Sequence, residues 1–405
     1  MKILLLCNKS PYPAFEGGPM AMNSIVTGLL NAGHKVKILA VNSKKFNVQP
    51  EDIPEGVRQQ TGLELIDVDL KVRPMKAFAN LFTSKSYHVE RFISKEFNNR
   101  LVEVLKAGLF DVVQLETLYM TPYIDTIRKY SKASIVLRAH NVEHLIWERV
   151  AKGTRFFLKR AYINHLAKTL RRYELSAIDQ VDGIAAITRK DAAYFRKYCA
   201  TPTIDIPYGV YPEDFHPNYE VDGPPQFYHI GSMNWMPNEE GIRWFVDDCL
   251  DAVVAKVPDF VFHLAGRNMP AWLQHLKNPH IDVIGEVTDA KEFVANHNVA
   301  IVPLLSGSGI RIKIIESMAL GKTVITTLVG AEGILYDEDV HLIIAENKAK
   351  MAEAIRRIHE HPDIAEEIGR AARKLVEDVY DNRKIIDRLL LFYEQIKPAS
   401  KITFV

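Results

Sequence analysis

The 405-residue sequence is short of cysteine, of long apolar runs and of net charge, and each shortage excludes a class of protein. Cys7, Cys199 and Cys249 are too few and too scattered for a disulfide framework, and their spacing is not that of a metal site. A reducing, cytoplasmic setting is therefore the expectation. No run approaches the ~18 apolar residues of a membrane span. The apolar run after Lys2 stops at Asn8-Lys9-Ser10-Pro11, short of a secretory leader's roughly 7–15 residues, and reads as a buried first strand. With 51 Lys and Arg against 50 Asp and Glu the net charge is +1, so no global field recruits nucleic acid or membrane. The first loop lacks the G-x-G-x-x-G dinucleotide fingerprint, which disfavours a dehydrogenase. Gly321-Lys322-Thr323 resembles the end of a P-loop, but Glu316 occupies the required first glycine and the triplet precedes a strand.

What remains is a chain of ordinary enzyme composition, 47% hydrophobic and 25% charged, long enough for two or three domains. Short apolar runs rich in Val and Ile alternate with longer amphipathic stretches. Strands are expected at 2–6, 36–41, 63–69, 112–116, 134–139, 183–187 and 202–206, then at 226–230, 260–265, 281–285, 299–304, 323–327 and 341–345. Runs apolar nearly throughout, separated by helical patterns, indicate parallel strands covered on both faces. The fold class is thus α/β, doubly wound, occurring twice. Residues 207–225 carry five prolines and two glycines without a sustained period and read as a linker. Ile385, Leu389, Phe392 and Ile396 place a helix near the C-terminus. Open α/β sheets bind ligands outside the carboxyl ends of their strands, so the strand-end loops are where function is sought.

Four such loops stand out. Residues 8–20 contain Glu16-Gly17-Gly18-Pro19 before a helix expected over 20–32; paired glycines and a helix N-terminus suit an anion, and a plain long loop is the alternative. After strand 134–139 comes His140, with His144 four residues on; the spacer and the missing third ligand argue against a metal. After strand 226–230 stands Gly231-Ser232-Met233-Asn234-Trp235-Met236-Pro237-Asn238, whose Gly231 and Ser232 could face a phosphate. After strand 299–304 runs Ser306-Gly307-Ser308-Gly309-Ile310-Arg311-Ile312-Lys313-Ile314-Ile315-Glu316. Cations at a helix start oppose the macrodipole, and a bound diphosphate would justify Arg311 and Lys313 there. Glu316, on the face of Lys313, is placed to accept from ribose hydroxyls; a surface Lys313–Glu316 pair is the alternative.

These motifs together resemble family 4 of the retaining, nucleotide-sugar-dependent glycosyltransferases, which have the GT-B fold. The resemblance spans nearly the whole chain and is most specific at SGSGIRIKIIESMALGKTVITT…GAEGI, from Ser306 to Ile334, a bacterial GSGIRIK branch. It implies two Rossmann-like domains facing across a cleft: an acceptor domain over 1–207 joined by a C-terminal helix at 382–402, and a nucleotide-sugar domain over 208–381. By the resemblance, Gly285 and Val287, with Glu286 between them, border the base and Glu316 binds ribose. Arg311 and Lys313 neutralise the diphosphate, with Gly231, Ser232, Ser308, Gly309 and Ile310 around the donor and Gly17 and Gly18 approaching from the first domain. His140 hydrogen-bonds the donor sugar. The family's first glutamate of a pair falls at Ser308, and the Arg and Lys that many members carry after Gly231 are missing; Arg311 and Lys313 are expected to take over that role.

The implied reaction is retaining hexosyl transfer from a nucleotide-diphosphate sugar, with no cofactor and no metal, and no Asp-x-Asp falls in these loops. The partners are the donor and a glycan, lipid-linked or small-molecule acceptor, in polysaccharide biosynthesis; nucleic acid is not among them. A sugar-nucleotide 2-epimerase and a non-catalytic nucleotide-sugar-binding subunit remain open alternatives. Residues 149–172 hold eight Lys or Arg and no Asp or Glu, with Lys152, Arg155 and Lys159 as one stripe and Leu158, Tyr162, Leu166 and Leu170 as another. That pattern, with Phe78 and Phe82 as a second candidate, suits peripheral contact with an anionic membrane at the inner face of the plasma membrane, against the alternative of a solvated basic face.

Overall fold

The structure, a computed structural model, describes residues 1–219, 223–307 and 309–397, with the side chains of 76–78 outside that description. The chain divides into two compact units: Met1–Pro207 with the segment from Ile385 onward, and Tyr208–Lys384.

In unit 1 the first apolar run forms strand β1 (Lys2–Cys7), in which Ile3 to Cys7 are wholly buried. Every second residue faces the same side of a strand, so a run without polar interruptions must be covered on both faces. Helix α1 (Gly17–Asn31) supplies one cover, with Met22, Ile25, Val26 and Leu29 packed against β1 and β2 (Lys35–Asn42). Strands β3 (Glu64–Asp67), β4 (Val112–Glu116), β5 (Ser134–Ala139), β6 (Gly183–Ala186) and β7 (Thr203–Asp205) complete a sheet of order β3-β2-β1-β4-β5-β6-β7, parallel throughout. The opposite face is covered partly by α2 (Lys95–Ala107), through Phe97, Leu101, Val104 and Leu105.

Unit 2 repeats the plan. Strands β8 (Phe227–Ile230), β9 (Phe262–Ala265), β10 (Ile281–Gly285), β11 (Val299–Val302), β12 (Thr323–Thr326) and β13 (Ile343–Ile344) form a parallel sheet of order β10-β9-β8-β11-β12-β13. Every strand expected from the sequence forms, and both sheets have the doubly wound, Rossmann-like order in which direction reverses at a switch point. That point lies between β1 and β4 in unit 1 and between β8 and β11 in unit 2.

Three local expectations need correction. Helix α1 begins at Gly17 rather than at 20, so Gly17 and Gly18 are its first turn and not a loop before it. Pro19 explains this, since its fixed φ suits a first turn whose N–H groups have no intrahelical acceptor. The stretch 149–172 is not one amphipathic helix: α3 (Glu143–Gly153) ends where the Thr154 hydroxyl binds the Val150 carbonyl (2.7 Å), and α4 (Phe157–Ile178) follows, with α5 (Arg189–Tyr198) after it. Leu166 and Leu170 are buried core residues, and Lys152, Arg155 and Lys159 fall on two helices and the break between them. The proline-rich stretch after 207 is no free linker either. Tyr208 is buried, Val210 bridges to Asp381, and Pro212–Asp214 makes a 3₁₀ turn, all within unit 2.

The C-terminal helix spans Asn382–Gln395; residues 398–402 of the expected helix lie outside the described residues. Its Ile385, Leu389, Phe392 and Tyr393 join the core against β1 and α1. Burial of such side chains contributes on the order of 1.5–3 kcal/mol each as an upper figure. The close packing requires Gly183 in β6, where a Cβ would stand 2.7 Å from the Phe392 ring.

Candidate functional site

At the switch point of unit 2, Gly231 follows β8, and the loop after β11 leads into α7 (Ile312–Ala319), whose N-cap residue is Arg311. Lys313, in the first turn of α7, turns its side chain back under the β8 loop. Its Nζ donates to Oδ1 of Asn238 (2.8 Å) and to Nε2 of His229 (3.2 Å). Asn238 belongs to α6 (Met236–Trp244) and donates from Nδ2 to the Ser232 carbonyl (2.8 Å). His229 can accept because Nδ1–H is committed to the Ile301 carbonyl (2.8 Å), and burial beside Lys313 holds it neutral, far below its ordinary pKa. The amino group occupies the space a side chain at 231 would need: a Cβ there would lie 2.4 Å from Nζ. Burial, reinforced by Arg311, pushes the Lys313 ammonium down to about 7.

Arg311 is 4% exposed and donates to the Gly309 and Val329 carbonyls, with its guanidinium 5.7 Å from the Trp235 ring centre. The loop bends around it through Gly307 and Gly309, whose φ values of 116° and 77° favour glycine. Ile310 is partly buried beside it, and Ser308 lies outside the described residues. One turn along α7, Glu316 accepts from the Tyr208 hydroxyl (3.4 Å); burial lifts its carboxyl to about 7, opposed by Lys291 and by Tyr208. Lys313 and Glu316 thus take separate partners instead of pairing on the surface.

The ends of β8, β9 and β10 converge on glycine backbone. Gly266 donates to the Gly285 carbonyl (2.7 Å), and a Cβ on Gly266 would lie 1.8 Å from the Gly231 carbonyl oxygen. Gly285 has a φ of 82°, Val287 follows partly buried, and Glu286 pairs with Arg267 (2.8 Å). The structure therefore brings Gly231, Ser232, Arg311 and Lys313 together beyond the ends of β8 and β11, with Glu316 one turn away along α7 and Gly285 reached through Gly266. The resemblance to a P-loop at Gly321-Lys322-Thr323 is structural: Lys322 is buried, donating to the Asn218 (2.6 Å) and Ala295 (2.9 Å) carbonyls.

In unit 1, His140 stands just beyond β5, and its Nε2 meets Oε2 of Glu116 at 2.7 Å. Glu116, the last residue of β4, is wholly buried. A carboxylate only accepts, so in the neutral imidazole the proton sits on Nε2 and Nδ1 is left as the acceptor. Glu116 also receives the Gln114 amide (2.5 Å) and faces buried Arg138 at 3.6 Å. His144 turns away to a different carboxylate, Glu174 (2.6 Å), so the two histidines form no metal pair. Gly17 and Gly18 open α1, where Lys9 lies across the first turn and pairs with Glu16 (2.9 Å).

Five neighbours of these candidate residues carry weak signals or none in the sequence. His229 is marked by being polar inside the apolar run of β8, whereas Asn238 is followed by Glu239 and Glu240 and does not stand out. Gly266, Tyr208 and Glu116 carry no local signal, because what defines them is a neighbour distant in the chain.

Residues 224–361 match the family model for glycosyl transferases, group 1, a stretch lying wholly in unit 2. The chain is 21% identical over 403 residues to an uncharacterized 44.6 kDa protein in the cps region of Klebsiella pneumoniae, covering 96% of this chain and 98% of that one. Among solved structures, Anabaena Alr3699/HepE in complex with UDP aligns with a TM-score of 0.68 at 12% identity, over 98% of this chain and 100% of that one. Sucrose-phosphate synthase from Thermosynechococcus elongatus aligns with a TM-score of 0.69 at 16% identity, over 98% and 99%. The stretch that holds Gly231, Arg311, Lys313 and Glu316 is thus the one matching the glycosyl transferase group 1 model, and the chain as a whole has the two-domain GT-B fold.

Proposed function

We propose that the chain is a glycosyltransferase of the family 4 type, moving a hexosyl group from a nucleotide-diphosphate sugar to a glycan, lipid-linked or small-molecule acceptor with retention. The observation that carries this reading is the Lys313 amino group, held by His229 and Asn238 at the β8–β11 switch point and at the start of α7. A helix N-terminus joined by Arg311 and Lys313 suits the negative charge that develops on a departing diphosphate, and fixed donors stabilise it without reorganisation or a metal. Lys313 reaches the β8 loop from α7, which supports its standing in for the cations that loop lacks. Glu316 would accept from ribose, Gly285 and Val287 would border the base, and Ser232, Gly309 and Ile310 would flank the diphosphate. His140, its tautomer set by Glu116, would offer Nδ1 to a donor-sugar hydroxyl. The departing phosphate would take the acceptor proton.

UDP in the Alr3699/HepE complex makes UDP-sugars the first donors to try, and a relative from a cps region is in keeping with polysaccharide biosynthesis, for which the setting we propose is the cytoplasmic side of the membrane. A thermal-shift panel of UDP-, GDP-, ADP- and dTDP-sugars tests the proposal. A donor at 100 times its Kd should stabilise the protein by about 2.7 kcal/mol, and no shift with any donor would reject it. Product analysis separates transfer from the alternatives: a 2-epimerase releases nucleotide and an altered free sugar, and a non-catalytic subunit binds without turnover.

A further inference from the structure

Three consecutive large apolar side chains, Phe156, Phe157 and Leu158, stand 65%, 67% and 66% exposed where α3 gives way to α4. Packing within unit 1 does not account for them, because the core residues of α4 begin farther along at Ile163, Leu166 and Leu170. Exposed Lys152, Arg155, Lys159 and Arg160 surround the tip, and no Asp or Glu occurs between 149 and 172. Two turns along α4, His165 meets the Asn80 carbonyl (3.3 Å), tying down the segment that carries Phe82, which is 79% exposed.

We propose that this tip is a membrane-docking surface for an anionic bilayer, with Phe156, Phe157 and Leu158 entering the interfacial layer while the flanking cations meet lipid phosphates. Apolar side chains ringed by Lys and Arg match a partner that is anionic at its surface and apolar just beneath it. A protein partner fits less well, since interface cores are depleted of lysine. The attachment is peripheral: among the described residues no helix is long and apolar enough to cross a membrane. The docking stands apart from donor binding in unit 2. It bears on the proposed function by setting unit 1 at a lipid surface, where a lipid-linked acceptor would be presented.

Co-sedimentation of the full chain with phosphatidylglycerol-containing and pure phosphatidylcholine vesicles, at low and high salt, tests the inference. Partitioning should favour the anionic vesicles by about tenfold or more at low salt and weaken as salt screens the cations. Replacing Phe156, Phe157 and Leu158 together by Ser should abolish it, and Lys159→Glu with Arg160→Glu should reduce it, with melting temperatures unchanged because the replaced side chains are exposed. The donor-induced thermal shift should persist in all of these variants, so failure of docking and failure of the glycosyltransferase reading are read separately. No partitioning to anionic vesicles, or partitioning insensitive to both sets of substitutions, overturns the proposal. So does concentration-dependent self-association that the triple Ser variant removes, which would assign the tip to a second copy of the chain.

Discussion

Binding of a nucleotide-diphosphate sugar to unit 2 should take up a proton at Lys313. In the ligand-free protein burial holds this ammonium near 7, so about half is charged at pH 7 and about one part in a hundred at pH 9. A diphosphate selects the charged form. Affinity should therefore be flat below pH 6 and fall roughly fifty-fold from pH 7 to pH 9. Nucleotide-sugars are the right probes, because their diphosphate has no ionisation of its own in this range. Glu316 also titrates near 7, so the measurement belongs in the Glu316→Gln background, where Lys313 changes charge alone. Lys313→Met should abolish the pH slope and weaken binding at pH 6 by about 1.5–3 kcal/mol, the worth of one charge-assisted hydrogen bond. The same shift acts on stability with a definite sign. Between the folded value near 7 and the unfolded value near 10.5 the unfolded chain binds more protons, so stability of the ligand-free protein rises with pH across that window, and Lys313→Met lacks the rise. Calorimetry in buffers of different ionisation enthalpy counts the proton directly. Equal affinity at pH 7 and pH 9, or binding without proton uptake, would refute the argument.

Other substitutions probe the supports of the two sites. Gly231→Ala places a Cβ 2.4 Å from Lys313 Nζ and 2.8 Å from Asn238 Nδ2, and should weaken donor binding at least about tenfold for a stability cost of about 1–3 kcal/mol, read by titration and thermal melting. Gly266→Ala meets backbone instead, 1.8 Å from the Gly231 carbonyl, and should lower the melting temperature more than Gly231→Ala does. Glu116→Leu leaves the Arg138 guanidinium buried without its carboxylate and should cost about 3–5 kcal/mol in denaturant unfolding. Tyr208→Phe removes the hydroxyl that favours the charged form of Glu316. The Glu316 carboxyl should then titrate above its present value near 7 in a carbon-13 NMR titration, with a stability change of about 1 kcal/mol or less.

The fold was legible because its signal is carried by runs such as Ile3–Cys7 and Val299–Val302, where burial on both faces demands unbroken apolar sequence. Local boundaries were less so. A helix over 20–32 follows from the apolar pattern, yet α1 starts at Gly17 because Pro19 is tolerated in a first turn. The stripe through Leu158, Tyr162, Leu166 and Leu170 has helical spacing, but spacing does not say which end meets a core; Leu170 does and Leu158 does not. At the candidate site, Arg311 and Lys313 stand out as cations at a helix start, an arrangement that needs a reason. Their environment is invisible in one dimension. Lys313 meets His229 and Asn238 across 84 and 75 residues, Tyr208 reaches Glu316 across 108, and Glu116 reaches His140 across 24. Only parallel strands brought into register, with their carboxyl ends on one edge, make these residues neighbours.

The central claim is that a nucleotide-diphosphate sugar binds at the strand ends of unit 2 around Lys313. Hydrogen–deuterium exchange of the full chain, with and without the donor that gives the largest thermal shift, tests it most directly. Protection is predicted in the peptides covering 231–238, 285–287 and 306–316, and it should vanish in Arg311→Ala and Lys313→Ala at the same donor concentration. Protection confined to other segments of unit 2, or undiminished in both variants, would contradict the account.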